Sequence, residues 1–237
     1  MEGIKFFFKR FITKPSGLIG VSIVAILIFS ALMAEVISPY SPTKMGAGKR
    51  FSKPSSNYVL GTDEFGRDML SRILHGSRLT LMIGATAVGI SLSTGMFIGL
   101  IAAYRKGILE QILMRGTDVL FSFTETLIAL SCVAVLGPSL ENAVIAVGIA
   151  GIPYYARICY SASLVESSKP YFEACIACGA GHFRLIVYHL LPNVLPTMIV
   201  VSTLGVSTAI LAAAGLSFLG LGGQPPLPEW GYMLAGS

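Results

Sequence analysis

Residues 79–104 read LTLMIGATAVGISLSTGMFIGLIAAY, a run of 26 without one Asp, Glu, Lys or Arg. A helix needs roughly 20 mostly apolar residues to cross a hydrocarbon core about 30 Å thick, so this run can span a membrane. It lacks the period-2 alternation of a barrel strand, and a helix satisfies its backbone N–H and C=O groups where lipid offers no partner. The same reading extends along the chain. Residues 15–34 carry no charge, 142–165 carry only Arg157, and 185–228 carry none. Residues 113–136 are apolar but hold Arg115, Asp118 and Glu125. Five spans follow, over 18–37, 79–103, 113–136, 141–158 and 194–214, and the fold class is all-α, a polytopic membrane helical bundle.

Composition agrees. Hydrophobic residues make up 54% of the chain and charged residues 12%, and mean hydropathy is +0.74, well above an ordinary soluble domain. The first apolar run follows Lys5, Lys9, Arg10 and Lys14. It is longer than a signal-peptide core, and Leu32 spoils a small-x-small cleavage site before Glu35, so it reads as a first span. Phe6, Phe7, Phe8 and Phe11 beside those cations predict a cytoplasmic interfacial segment over 1–17. The net charge of +5 is spread over loops that flank lipid, which makes anionic headgroups a sufficient partner and implies no nucleic acid. Cys132, Cys159, Cys175 and Cys178 lie in or beside apolar segments, act as small apolar residues and give no disulfide framework.

With the N-terminus inside, ten of the 17 Lys and Arg fall on the cytoplasmic side and the other seven in one external loop, 38–78. The core is then 79–237, with a cytoplasmic loop at 161–192 and an external Gly- and Pro-rich segment at 215–237. So much Gly and Pro cannot form a lipid-facing helix and is expected to line a vestibule.

The loop between the fourth and fifth spans reads Glu173-Ala174-Cys175-Ile176-Ala177-Cys178-Gly179, then nine residues, then His189-Leu190-Leu191-Pro192. This describes a short helix, a Gly that lets the chain reverse, a second helix, and a Pro that stops it before the next span. The segment resembles the EAA loop of ABC importer permeases, E-A-A-x-x-x-G-x(9)-I-x-L-P. Glu173, Ala174, Gly179, Leu191 and Pro192 match, while Cys175 replaces the second Ala and His189 the Ile. Residues 60–72 (LGTDEFGRDMLSR), 135–140 (VLGPSL), 216–222 (LSFLGLG) and 228–231 (PEWG) resemble the second, "C"-type permease of the oligopeptide, dipeptide and nickel branch.

The resemblance implies a multi-pass permease of the bacterial plasma (inner) membrane. It works with a homologous second permease, two ATPase subunits and an extracytoplasmic substrate-binding protein, and a sixth helix is expected beyond Ser237. Its coupling loop, Glu173, Ala174, Cys175, Gly179, Leu191 and Pro192, meets the ATPase. The expected cargo is short peptides, with nickel or a metal chelate as the alternative.

No G-x-x-x-x-G-K-S/T pattern occurs, so ATP and Mg are expected on the partner subunits, with no cofactor on this chain. No Ser-His-Asp or paired-carboxylate constellation falls on one side of the membrane, which leaves an enzyme little support. A secondary transporter or channel would show charges spread through several spans and inverted repeats. Cys175-x-x-Cys178 near His182 and His189 replaces small residues of the coupling motif and reads as that rather than as a metal site. Glu125 would lie about 12 residues, roughly 18 Å, from the inner end of a continuous third helix. An ionisable group at that depth faces a bundle interior or a water-filled path, so Glu125 is the candidate for the translocation path, with a purely structural pairing as the other reading.

Overall fold

In the computed structural model, residues 15–235 are described; the interfacial segment expected at the N-terminus lies almost wholly outside them. The chain forms two compact units, one of residues 15–80 and 225–235, the other of Leu81–Gln224. Among the described residues there are helices and no strands, only an isolated antiparallel bridge between Thr62 and Asp68.

The first unit opens with α1, Pro15–Leu32, and a short α2, Ala34–Ile37. Ile19, Ile26 and Phe29 are exposed around α1, as a lipid-facing helix requires. The expected single span over 18–37 is interrupted at Met33. The 18 residues of α1 give ~27 Å, slightly short of the hydrocarbon thickness.

The loop that follows is tied by its own polar groups. Asp63 Oδ1 accepts the backbone N–H groups of Phe65 and Arg67 at 2.9 Å each, and Oδ2 accepts Arg67 Nε at 2.6 Å. Arg67 stacks over Phe65 with 4.5 Å to the ring centroid. Asp68 Oδ2 accepts from the Ser71 N–H at 2.8 Å and its hydroxyl at 2.6 Å, an N-cap that starts α3, Met69–Arg105. The helix therefore begins ten residues before the expected 79, because the cap, not the apolar run, sets its start. Glu229, 1% exposed, accepts the N–H groups of Gly231 and Tyr232 and caps α9, Trp230–Ala235. Trp230 Nε1 donates to the Ile73 carbonyl at 3.1 Å.

The second unit continues with α4, Ile108–Phe121, and α5, Glu125–Leu136, which meet at a 92° bend. The expected continuous helix over 113–136 is thus two helices. Thr124 takes an extended conformation at the break, so the turn forms without a proline there. α6, Leu140–Ser167, is capped by the Ser139 hydroxyl and runs nine residues past the expected end at 158. The short α7, Pro170–Ala177, precedes α8, His182–Phe218, which contains a π-helical stretch at Leu185–Leu190. Pro192 was expected to stop a helix, yet α8 passes through Pro192 and Pro196. The π turns and the Asn193 side chain, which donates to the His189 carbonyl at 2.6 Å, adjust the local hydrogen bonding around the missing proline donors.

By length and composition α3, α6 and α8 can cross a membrane, and the α4–α5 pair adds a fourth if counted as one span. α6 is the centre of its unit and packs against α4, α5 and α8. Its buried residues are mostly small, among them Ala143, Ala146, Val147, Ala150, Ala156 and Cys159, with Tyr155 the large exception on its packed face. Gly95 and Gly99 of α3 press on it so closely that added methyls would lie 2.6 Å from Tyr155 Cβ and 2.7 Å from the Ala156 carbonyl oxygen. In lipid, where burial supplies little drive between helices, close approach over small residues supplies the packing.

Candidate functional site

Two regions collect the residues singled out from the sequence. The first is α7 with its flanks. Pro170 starts the helix at a position where no N–H is needed, and Gly179 ends it at φ +78°, with a hydrogen bond from the Ala180 N–H to the Cys175 carbonyl at 3.1 Å. Glu173, Ala174, Ile176 and Cys178 are exposed, and Phe172 is buried at 3%. Cys175 does not share the exposed face; it is half-buried with its Sγ 3.9 Å from His189 Nδ1. Leu191 and Pro192 lie on α8, directly after the π stretch.

One hydroxyl joins three elements here. Tyr171 on α7 donates to Glu166 Oε1 at 2.6 Å, at the end of α6, and accepts from Asn193 Nδ2 at 3.1 Å, at the start of α8. Lys169 adds an ion pair to Glu166 at 2.6 Å. Burial, then the bond to Glu166, pushes the Tyr171 phenol up to about 12. Tyr104 and His182 tie α3 to the other side of the loop, with the hydroxyl 2.5 Å from Nδ1. Sequence reasoning missed Glu166, Tyr171 and Asn193, because their spacing matches no motif and only the folded turn brings them together.

The second region surrounds the break between α4 and α5. Glu125 is the first residue of α5, where a carboxylate complements the partial positive charge of the helix N-terminus. Depth along a continuous helix therefore does not describe its position. Glu125 lines a cavity of about 230 Å³ between α3, α6 and α8, with Ser91, Tyr155 and Thr208 in the wall. It also lines a neighbouring cavity of about 190 Å³ with Phe123 and Pro153, and Tyr154 belongs to both. Nearby, Arg157 pairs with Asp118 and the Tyr160 hydroxyl donates to Glu110, which fastens α4 to α6 and leaves those charges committed. Among the described residues no three His, Cys, Asp or Glu side chains gather as a metal site.

The chain is similar to several known proteins. Residues 95–237 match the family described as "Binding-protein-dependent transport system inner membrane component", and residues 5–54 match the "N-terminal TM domain of oligopeptide transport permease C". The di/tripeptide transport system permease protein DppC of Pseudomonas aeruginosa is 41% identical over 98% of this chain and 78% of its own length. The dipeptide permease DppC of Escherichia coli K12 is 39% identical over 99% and 80%, respectively. The glutathione transport system permease protein GsiD of Pectobacterium atrosepticum is 38% identical over 96% and 76%. Among solved structures, an inward-facing form of the MetNI methionine ABC transporter shares the fold with a TM-score of 0.59 at 19% identity, over 65% of this chain and 77% of that one. The chain belongs to the inner membrane components of binding-protein-dependent transport systems, as a transport permease subunit of an ABC importer and not an enzyme.

Proposed function

We propose that this chain forms half of a translocation pathway for short peptides. The observation that carries the reading is the agreement along almost the whole chain with permeases named for dipeptides, di/tripeptides and the tripeptide glutathione. The other half is a homologous permease. Two ATPase subunits dock on the cytoplasmic face, a substrate-binding protein delivers cargo from outside, and the N-terminus lies in the cytoplasm.

The loop 161–192 receives the ATPase. An exposed face of Glu173, Ala174 and Cys178 beside a glycine turn suits close docking of another protein, and the Tyr171 hydroxyl links that face to α6 and α8. Closure of the ATPases would then rock both spans together and alternate access to the path. Glu125, with a carboxylate on two cavities, belongs to that path. ATP and Mg act on the partner subunits.

The test is uptake of a labelled dipeptide into liposomes holding both permeases and both ATPases, with the cognate binding protein added. ATP-dependent accumulation is expected. Accumulation of nickel without peptide would replace the cargo, and accumulation without ATP would refute the importer reading.

A further inference from the structure

We propose that Glu125, together with Tyr154 and Tyr155, forms a site for the free ammonium group of the passing cargo. The proposal rests on the peptide-importer reading and deepens it by naming the chemical group that the path recognises.

Two hydroxyls of the cavity wall can act only as acceptors. The Ser91 hydroxyl is spent as a donor on the Gly148 carbonyl at 2.6 Å, and the Thr208 hydroxyl on the Gly205 carbonyl at 2.9 Å, so both have only lone pairs left to offer. Glu125 adds a carboxylate that has no hydrogen bond or ion pair among the described residues. No Lys, Arg or His lines either cavity that it touches. The rest of the surroundings is apolar, including Val88, Val147 and Leu204 on one side and Leu120 and Ile128 on the other. Glu125 is exposed at the open edge of these cavities, where a carboxylate without a counter-charge keeps its lone pairs free for a cation.

An ammonium group carries three donors and no acceptor, the complement of this wall. Two aromatic rings complete it. Tyr154 and Tyr155 meet edge to face with centroids 5.5 Å apart, and Tyr154 borders both cavities beside Glu125. Tyr155 is 3% exposed, its ring is part of the wall, and its hydroxyl is buried with no partner. That hydroxyl rests against Gly205 of α8, where even a methyl would be excluded. That oxygen is closed off from the cavity, so Tyr155 supports the site by holding Tyr154 edge to face and not by bonding the cation.

The cation could belong to a peptide N-terminus or to a lysine of a neighbouring subunit, and the assay separates them. The assembled permease–ATPase complex, purified in detergent without binding protein so that the latter's own preference plays no part, is dialysed against labelled Ala-Ala or N-acetyl-Ala-Ala. At least tenfold greater retention of the free amine is expected. Glu125→Gln should abolish that preference and Glu125→Asp should restore most of it. Equal retention of the two peptides, retention of neither, or a preference unchanged in Glu125→Gln overturns the site. If Glu125→Gln instead separates the two permeases on purification, the carboxylate serves a subunit contact and the cargo assignment is wrong. Uptake of Ala-Ala by the wild-type complex with binding protein reports on the importer reading separately.

Discussion

Gly99 on α3 offers the sharpest test of how the membrane bundle is held together. A methyl there would lie 2.7 Å from the Ala156 carbonyl oxygen, 2.7 Å from Cys159 Cβ and 2.8 Å from Tyr160 N. These are backbone atoms or atoms fixed to it, and none can rotate away. Ordinary contact begins at 3.4 Å, so α3 and α6 must part by 0.7 Å (3.4 minus 2.7) or bend. Overpacking of this kind costs about 1–3 kcal/mol. Alanine in a helix interior recovers about 1 kcal/mol relative to glycine, which leaves a net loss of about 1 kcal/mol at the middle of the range. Gly89 in the same helix has nothing within 4 Å of an added methyl, so Gly89→Ala gains the helix term alone. The two variants should differ by about 2 kcal/mol in unfolding free energy. Unfolding of the purified permease by SDS in mixed micelles measures that difference. Equal stability of Gly99→Ala and Gly89→Ala would refute the claim that glycine-mediated contact holds α3 on α6.

The other expectations concern the loop. Gly179→Val places a β-branched residue at φ +78°, costing at least about 1–2 kcal/mol at that turn, and should abolish uptake while the spans remain folded; wild-type uptake in liposomes would remove the turn from the mechanism. Glu173→Lys reverses an exposed charge and should weaken ATPase capture, read as loss of co-purification. Tyr171→Phe removes the hydroxyl shared by Glu166 and Asn193, and should lower peptide moved per ATP hydrolysed with assembly intact; an unchanged ratio would make the hydroxyl structural. Because the Tyr171 pKa is raised in the folded chain, its contribution is fully present below the ordinary phenol value of 10.0 and is lost as pH rises from there through about 12. Thermal stability of the wild type should fall over that window, more than that of Tyr171→Phe.

Hydropathy made the class and most spans legible, because a bilayer demands long uncharged helices and few other elements supply them. It could not find helix ends. α3 starts at the Asp68 cap, ten residues before its apolar run, since Arg72 and Arg78 hide that stretch from a hydropathy count. The break before Glu125 left no proline as a marker, and α8 runs through Pro192, which suggested a stop. The loop residues fall at motif spacing, and the fold places Glu173 to Gly179 on one short helix and its turn. The wall around Glu125 was not legible, because Ser91, Tyr155 and Thr208 come from three helices far apart in sequence and share no pattern until they pack.

The π stretch at Leu185–Leu190 bears on how α8 connects the loop to the membrane. A π turn holds about one residue more than an α turn, so the side-chain stripes before and after it are out of phase by ~100°. Phe183 and Arg184 therefore do not continue the stripe on which Val194 and Met198 are buried. Removing one residue from within the stretch would let α-helical bonding close with both halves of α8 left in place, because the π turns already absorb that residue. Re-forming the stretch as α-helix at unchanged length would instead turn the loop end by that angle relative to the span and push it out by ~1.5 Å, so the π turns set the direction in which the loop faces.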